Sequence, residues 1–274
     1  MQPLRKVISK LKLRASYGQV GNANLGGRRF AYLSTITDDY ETLNMYKWGL
    51  DSSYGLTGMA EGEFAVQDLT WEIVNKMNLG VELGFLNGMI DLQLDYFDER
   101  RKDIFMPRES VPMTAGFMKQ PWKNFGKVTN QGVEVSLNVN KQFGKDLFVS
   151  LMGTFTYAHN EITEKDEPSA VVGTNRAETG HPVGQLTGYI AEGLFTADDF
   201  EDVSTGKLKE GIPTQSFVGK LRPGDIRYRD VNGDGKVDVF DKSPIGGTKD
   251  PEIVYGFGLN MKYKNLDFGA LFQG

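Results

Sequence analysis

The stretch that decides the fold is Trp71–Tyr96, which reads WEIVNKMNLGVELGFLNGMIDLQLDY. Apolar side chains recur at alternate positions on both sides of the pair Asn87–Gly88, and polar residues or glycines fill most positions between them. A period of two residues is that of a β-strand, and an Asn-Gly pair between two such segments is typical of a tight hairpin turn. The stretch therefore predicts a β-hairpin with one apolar face and one polar face.

The same alternation returns around two further turns, at residues 141–146 and 263–265. The alternating segments run for 10 to 15 residues, whereas strands of soluble proteins usually have about 5 or 6 residues and a lipid-crossing strand needs about 9 to 11. The segments between the hairpins, about residues 98–130 and 161–250, are long and polar, and we expect loops there.

Two folds are compatible with this alternation. In a membrane barrel the apolar face meets lipid and the polar face lines the lumen, whereas in a soluble sandwich the apolar face is the core. Short turns at one end and long loops at the other are typical of outer-membrane barrels. We therefore expect an all-β fold, a portion of an antiparallel transmembrane β-barrel occupying residues 1–274. The alternative is a soluble, calcium-stabilised β-sandwich that binds carbohydrate.

The amino-acid composition excludes several classes of functional site and partner. The chain has no cysteine and two histidines, which excludes a disulfide framework and a thiolate zinc site. Its net charge of −5 argues against a nucleic-acid partner. No signal-peptide pattern and no apolar run of about 18 residues is found. The sequence offers no convergent acid and base pair, so we expect no enzyme activity and no organic cofactor, and it assigns no substrate-binding residue.

The strongest chemical motif lies in the longest expected loop, at residues 230–241. Oxygen-bearing side chains occupy its positions 1, 3, 5, 9 and 12, position 6 is glycine, and position 7 would offer a backbone carbonyl. This spacing lets alternate residues of a tight loop surround one hard cation. We expect a structural Ca²⁺ site, against the alternative of a solvated turn without metal. Its ligands would be Asp230, Asn232, Asp234, Lys236, Asp238 and Asp241.

Several short motifs resemble the SusC/RagA family of TonB-linked outer-membrane proteins, and they occur in family order along nearly the whole chain. They are LKLRASYGQVGN at 11–22, LTWE at 69–72, DYF at 95–97, RRKDI at 100–104, NFGKV at 124–128, NQGVE at 130–134, TGHPVGQ at 179–185, PGD at 223–225, and the 230–241 loop followed by Pro251–Glu252.

This resemblance implies more than the alternation does. Family members are large plugged barrels of about 22 strands in the bacterial outer membrane, surrounded by outer-membrane lipid. They import oligo- or polysaccharides or peptides with a SusD-like surface lipoprotein as a lid, and TonB supplies the energy. The present chain resembles an internal, late portion of such a barrel and lacks the N-terminal part that contacts TonB. We therefore expect a fragment of a nutrient importer, in which residues 20–70, 98–130 and 161–250 would be long extracellular loops or strand extensions.

Overall fold

The computed structural model describes residues 7–37, 46–48, 50, 54–56, 59–115, 117, 119–215 and 217–274. Contacts divide the chain into two compact units, whereas the sequence predicts one partial barrel domain. We call residues 1–166 with 251–274 the sheet unit, and residues 167–250 the loop unit. Among the described residues, no helix has the length and apolar character needed to cross a membrane.

The regular structure of the described residues is almost entirely β-strand, with short 3-10 turns at Met113–Ala115, Ala197–Asp199 and Val239–Asp241. In chain order the strands are β1 (Ile8–Asn22), β2 (Ile36–Thr37), β3 (Tyr46–Trp48), β4 (Tyr54–Leu56), β5 (Ala60–Glu61), β6 (Glu72–Phe85), β7 (Ile90–Pro107), β8 (Trp122–Phe143), β9 (Leu147–Glu164), β10 (Gln185–Gly188), β11 (Ala191–Leu194), β12 (Phe200–Asp202), β13 (Lys207–Leu208), β14 (Thr214–Gln215), β15 (Ile226–Tyr228), β16 (Lys236–Val237), β17 (Ser243–Thr248), β18 (Ile253–Tyr263) and β19 (Leu266–Gln273).

The sheet unit is built on a seven-stranded antiparallel sheet in the order β1-β6-β7-β8-β9-β18-β19. Its strands have 8 to 22 residues, so most exceed the length that crosses a bilayer. The three predicted hairpins are confirmed, with tight turns between β6 and β7, β8 and β9, and β18 and β19. In an antiparallel sheet of this order, these turns share one end and the longer connections share the other.

The segments predicted to be loops or strand extensions contain both kinds of structure. The connection expected over 98–130 spans only 108–121, because pairing of β7 with β8 continues through polar residues at both strand ends. The connection expected over 161–250 begins after Glu164 and consists mostly of the loop unit. The one expected over 20–70 begins after Asn22, and several of its residues lie outside the described part of the chain.

The register of the large sheet puts most of the apolar residues of its strands on one face. One row across the middle of the sheet consists of Leu13, Val81, Leu94, Val135, Phe155 and Tyr255. Side chains on this face are exposed: Leu13 retains 73% of its accessible surface and Phe257 retains 53%. Neighbouring rows continue the pattern, as where Phe257 stacks on Phe272 with ring centroids 5.0 Å apart.

An exposed apolar face of this extent is incompatible with water as its surroundings. Soluble monomers rarely expose contiguous apolar patches larger than a few hundred Å², and a sandwich would cover the face with a second sheet. Lipid can cover this apolar face without a second protein sheet. The arrangement is that of a portion of an antiparallel transmembrane barrel, as the sequence predicts, and it does not support the soluble-sandwich alternative.

The loop unit is held by four two-stranded ladders and a small apolar core. The ladders pair β10 with β17, β11 with β15, β12 with β13 and, in parallel, β14 with β16. The core consists of buried Phe195, Phe200 and Leu221, against which Leu208, Ile212 and Val218 pack. The unit is therefore a folded element of its own.

Candidate functional site

The predicted calcium-type loop lies in the loop unit between β15 and β17. Residues 230–235 are irregular, Lys236 opens the short strand β16, and residues 239–241 form a 3-10 turn. Gly235, at position 6 of the motif, has a φ of 82°. This left-handed conformation is one that glycine adopts without steric cost, so the sequence argument for a tight turn at position 6 is confirmed.

Asp241, the last residue of the motif, is completely buried, with 0% of its surface exposed. Its Oδ1 accepts hydrogen bonds from the backbone N–H groups of Val231 at 2.8 Å and Asn232 at 3.3 Å. Its Oδ2 accepts one from the N–H of Asp238 at 2.8 Å. The carboxylate of Asp241 thus joins the beginning of the loop to its end. Hydrogen bonds to a carboxylate are among the strong ones.

The other predicted ligands also accept backbone N–H groups. Asp230 receives the N–H of Gly233 at 2.6 Å on Oδ1 and that of Gly235 at 2.8 Å on Oδ2. The side chains of Asn232, Asp234 and Asp238 each accept from the residue two positions later, at 2.8 to 3.0 Å. These are the Asx turns expected of such a sequence.

All six predicted ligands thus lie in one loop, and the side chains of the five other than Lys236 are directed at backbone N–H groups. Among the described residues, which include all of 230–241, no three His, Cys, Asp or Glu side chains form a group that could hold a metal ion. Carboxylate oxygens carry a second lone pair beyond each hydrogen bond, but these carboxylates do not converge on one centre. Calcium binding stays a prediction of the motif spacing.

The polar face of the large sheet carries an ion-pair network that sequence reasoning missed. Nη2 of Arg14, in β1, donates to both carboxylate oxygens of Asp95, in β7, at 2.8 and 2.9 Å. Glu82, in β6, lies 3.2 Å from Nε of Arg14 and also pairs with Lys10 and Lys12. Asp95 is buried although it lies on the polar face.

Gly80 makes this contact across two strands possible. Register pairs it with Arg14 on one side and Asp95 on the other. A Cβ at Gly80 would lie 2.4 Å from Oδ1 of Asp95, so any side chain would displace the pair. The signal in the sequence was a glycine among the polar residues at alternate positions of β6, between Asn78 and Glu82, but only the strand register identifies its neighbours on β1 and β7.

A second polar cluster fixes the connection between β7 and β8. Nε of Arg108 donates to Oδ2 of Asp166 at 2.9 Å, and both the N–H and the hydroxyl of Ser110 donate to the same carboxylate. Burial raises the pKa of Asp166, but the bonds from Arg108 and Ser110 outweigh burial and hold the pKa below its usual value. The charged form is therefore favoured, and it attaches the 108–121 connection to the end of β9.

Comparisons with known proteins give a consistent result over nearly the whole chain. The family model described as "TonB dependent receptor-like, beta-barrel" matches residues 4–261. TonB-dependent receptor SusC of Bacteroides thetaiotaomicron is 29% identical over 280 residues, which cover 96% of this chain and 24% of that protein. TonB-dependent receptor P26 of Formosa agariphila is 28% identical over 279 residues, covering 98% of this chain and 26% of that protein.

Solved structures agree on the fold. The RagAB peptide importer in its 'open-open' state is similar with a TM-score of 0.65 and 23% identity, covering 98% of this chain and 26% of that chain. The structure described as the RagAB peptide transporter gives a TM-score of 0.63 at 22% identity. The chain spans about a quarter of the length of the curated relatives it matches.

Proposed function

The chain belongs to the TonB-dependent receptor-like β-barrel family, and from that premise we propose that it forms part of the wall of a SusC-type nutrient importer. The family consists of transporters rather than enzymes, and its members are outer-membrane proteins, as this one is. We also propose that this chain has no catalytic role.

The observation that carries the proposal is the two-faced character of the seven-stranded sheet. Its apolar face is exposed over all seven strands, and its polar face bears the charged network around Asp95. A wall of this kind separates lipid from a water-filled interior. Such an interior suits the passage of a hydrophilic nutrient.

We further propose that the importer works with a SusD-like lipoprotein as its lid and with TonB as its energy source. The substrate would be an oligo- or polysaccharide or a peptide. The similarity to SusC and the likeness in fold to a structure described as a peptide importer support these classes. In the chain, the loop unit is inserted between β9 and β18, and outer-membrane barrels carry their longer loops on the extracellular side.

Gene deletion in the native host tests the proposed import function. We expect the deletion strain to lose growth on one class of glycan or peptide, and a strain without TonB to show the same loss while growing normally on simple sugars. Affinity purification of the tagged protein is expected to bring down a surface lipoprotein. Unimpaired growth of the deletion strain on every oligosaccharide and peptide tested would count against the proposal.

Calcium binding by residues 230–241 is a separate proposal, supported by the motif spacing. Sites in extracellular proteins bind Ca²⁺ with dissociation constants of about 0.1–1 mM. We expect about 1 mM Ca²⁺ to slow protease cleavage within this loop of the full-length protein, compared with chelator. The double variant Asp230→Ala, Asp234→Ala should lose that dependence. Equal cleavage rates with calcium and with chelator in the unchanged protein would refute the site.

A further inference from the structure

The loop unit contains a hollow of about 340 Å³, lined by both polar and apolar residues, that the proposed function does not use. Its size is at the lower end of the range for small-molecule sites, about 300–1,000 Å³. The lining combines basic side chains with hydroxyl and amide groups. The basic and polar residues of the lining include Arg176, His181, Gln185, Thr187, Lys242 and Lys249.

Hydrogen bonds between distant parts of the unit hold the walls of this hollow. The side-chain amide of Asn175 donates to the carbonyls of Phe240 at 3.0 Å and Lys242 at 2.8 Å. On the other side, the N–H of Lys249 donates to the carbonyl of Gly184 at 3.0 Å, at the end of the β10–β17 ladder. The hollow is thus framed by paired backbone.

Two of the basic residues that line the hollow pack against aromatic rings. The guanidinium of Arg176 lies 4.8 Å from the ring centre of Phe240, and the ammonium of Lys242 lies 5.6 Å from that of Tyr189. Within the described part of the chain, neither residue forms an ion pair, and Lys249 forms none either. One acidic residue, Glu178, shares the lining, and its backbone N–H donates to Oε1 of Glu167 at 2.5 Å.

We propose that this hollow binds an acidic sugar unit through its carboxylate or sulfate group. Arg176, Lys242 and Lys249 line one small volume, and their cationic groups match an oxyanion in charge and in donors. Thr187 adds a hydroxyl of the kind that binds sugar hydroxyls, and Gln185 can offer its side-chain carbonyl oxygen, because its amide nitrogen donates to the carbonyls of Leu186 and Gly247. The identification of the ligand as a nutrient rests on the proposed import function, whereas binding itself does not.

Calorimetry on the full-length protein in detergent tests this site. The probes are a galacturonate oligosaccharide, a sulfated oligosaccharide, a neutral oligosaccharide of equal length and a glutamate-rich peptide. We expect at least one acidic oligosaccharide to bind at least about tenfold more tightly than the neutral one, with affinity falling as salt rises. Whether the uronate, the sulfated sugar or both bind identifies the anionic group.

The double variant Arg176→Gln, Lys242→Gln should weaken acidic-sugar binding by about tenfold or more. The matched control is Lys207→Gln, which removes a cation of the same unit that pairs with Glu201 away from the hollow, and it should bind as the unchanged protein does. An unchanged protease pattern of both variants shows that the unit remains folded.

Three results would overturn the site: no binding of either acidic oligosaccharide at millimolar concentration, equal loss in the control, or tighter binding of the acidic peptide than of the sugars. These measurements need no transport. A deletion strain that grows normally on all nutrients would therefore refute the import proposal and leave a measured binding site in place.

Discussion

The variant Leu137→Arg is expected to fail to assemble in the outer membrane at normal levels. Leu137, in β8, lies on the apolar face with 38% of its surface exposed, between Leu92 of β7 and Gly153 of β9. An arginine on the lipid face of a barrel costs about 2–4 kcal/mol near the middle of the bilayer. Outer-membrane fractionation and urea unfolding in lipid vesicles measure the loss.

Asn138→Arg is the matched control, because it introduces the same side chain one residue further along β8. Register pairs Asn138 with Asp91 of β7, and it lies on the polar face, where an arginine meets water and a carboxylate. We expect normal assembly of this variant. Equal tolerance of both arginines would mean that the apolar face does not contact lipid, and equal failure would mean that β8 tolerates no bulky cation on either face.

The alternation predicts the membrane-crossing part of each strand well and the outer ends poorly. The pattern of Trp71–Tyr96 holds where one face meets lipid and the other meets the interior, because the two environments differ. Beyond Tyr96, β7 continues through the polar segment 98–102 to Pro107, still paired with β8. Outside the bilayer both faces of a strand contact water, so the period of two disappears although the hydrogen bonds continue.

For the candidate sites too, the sequence predicts features within one segment, whereas features that join distant segments become visible only in the structure. The loop at 230–241 is contiguous, so its spacing alone identifies the turn and its glycine. The basic hollow joins residues near 176–187 to residues near 242–249, and only the pairing of β10 with β17 and the bonds of Asn175 bring these segments together. The Arg14–Asp95 pair likewise depends on strand register, which one strand's sequence does not contain.

Asp241→Asn is expected to open the 230–241 loop. The substitution removes the charge, and the amide group that replaces one carboxylate oxygen would face an N–H donor. Because the side chain is fully buried and accepts three backbone N–H groups, we expect a local destabilisation of about 3 kcal/mol. Hydrogen exchange of residues 226–248 in the full-length protein, measured in chelator, should show faster exchange at Val231 and Asp238.

Asp234→Asn serves as the control for this change, and the comparison separates two roles of the loop. Asp234 is exposed, and its Oδ1 accepts the N–H of Lys236 at 2.9 Å, a bond that an asparagine oxygen can also accept. Without calcium we expect an effect within about 0.5 kcal/mol. If Asp241 acts as a buried acceptor of N–H groups, its variant exchanges faster than the unchanged protein even in chelator. If the loop is ordered by calcium alone, chelator opens the unchanged protein as well, the two Asp→Asn variants become indistinguishable from it, and the structural role assigned to Asp241 is wrong.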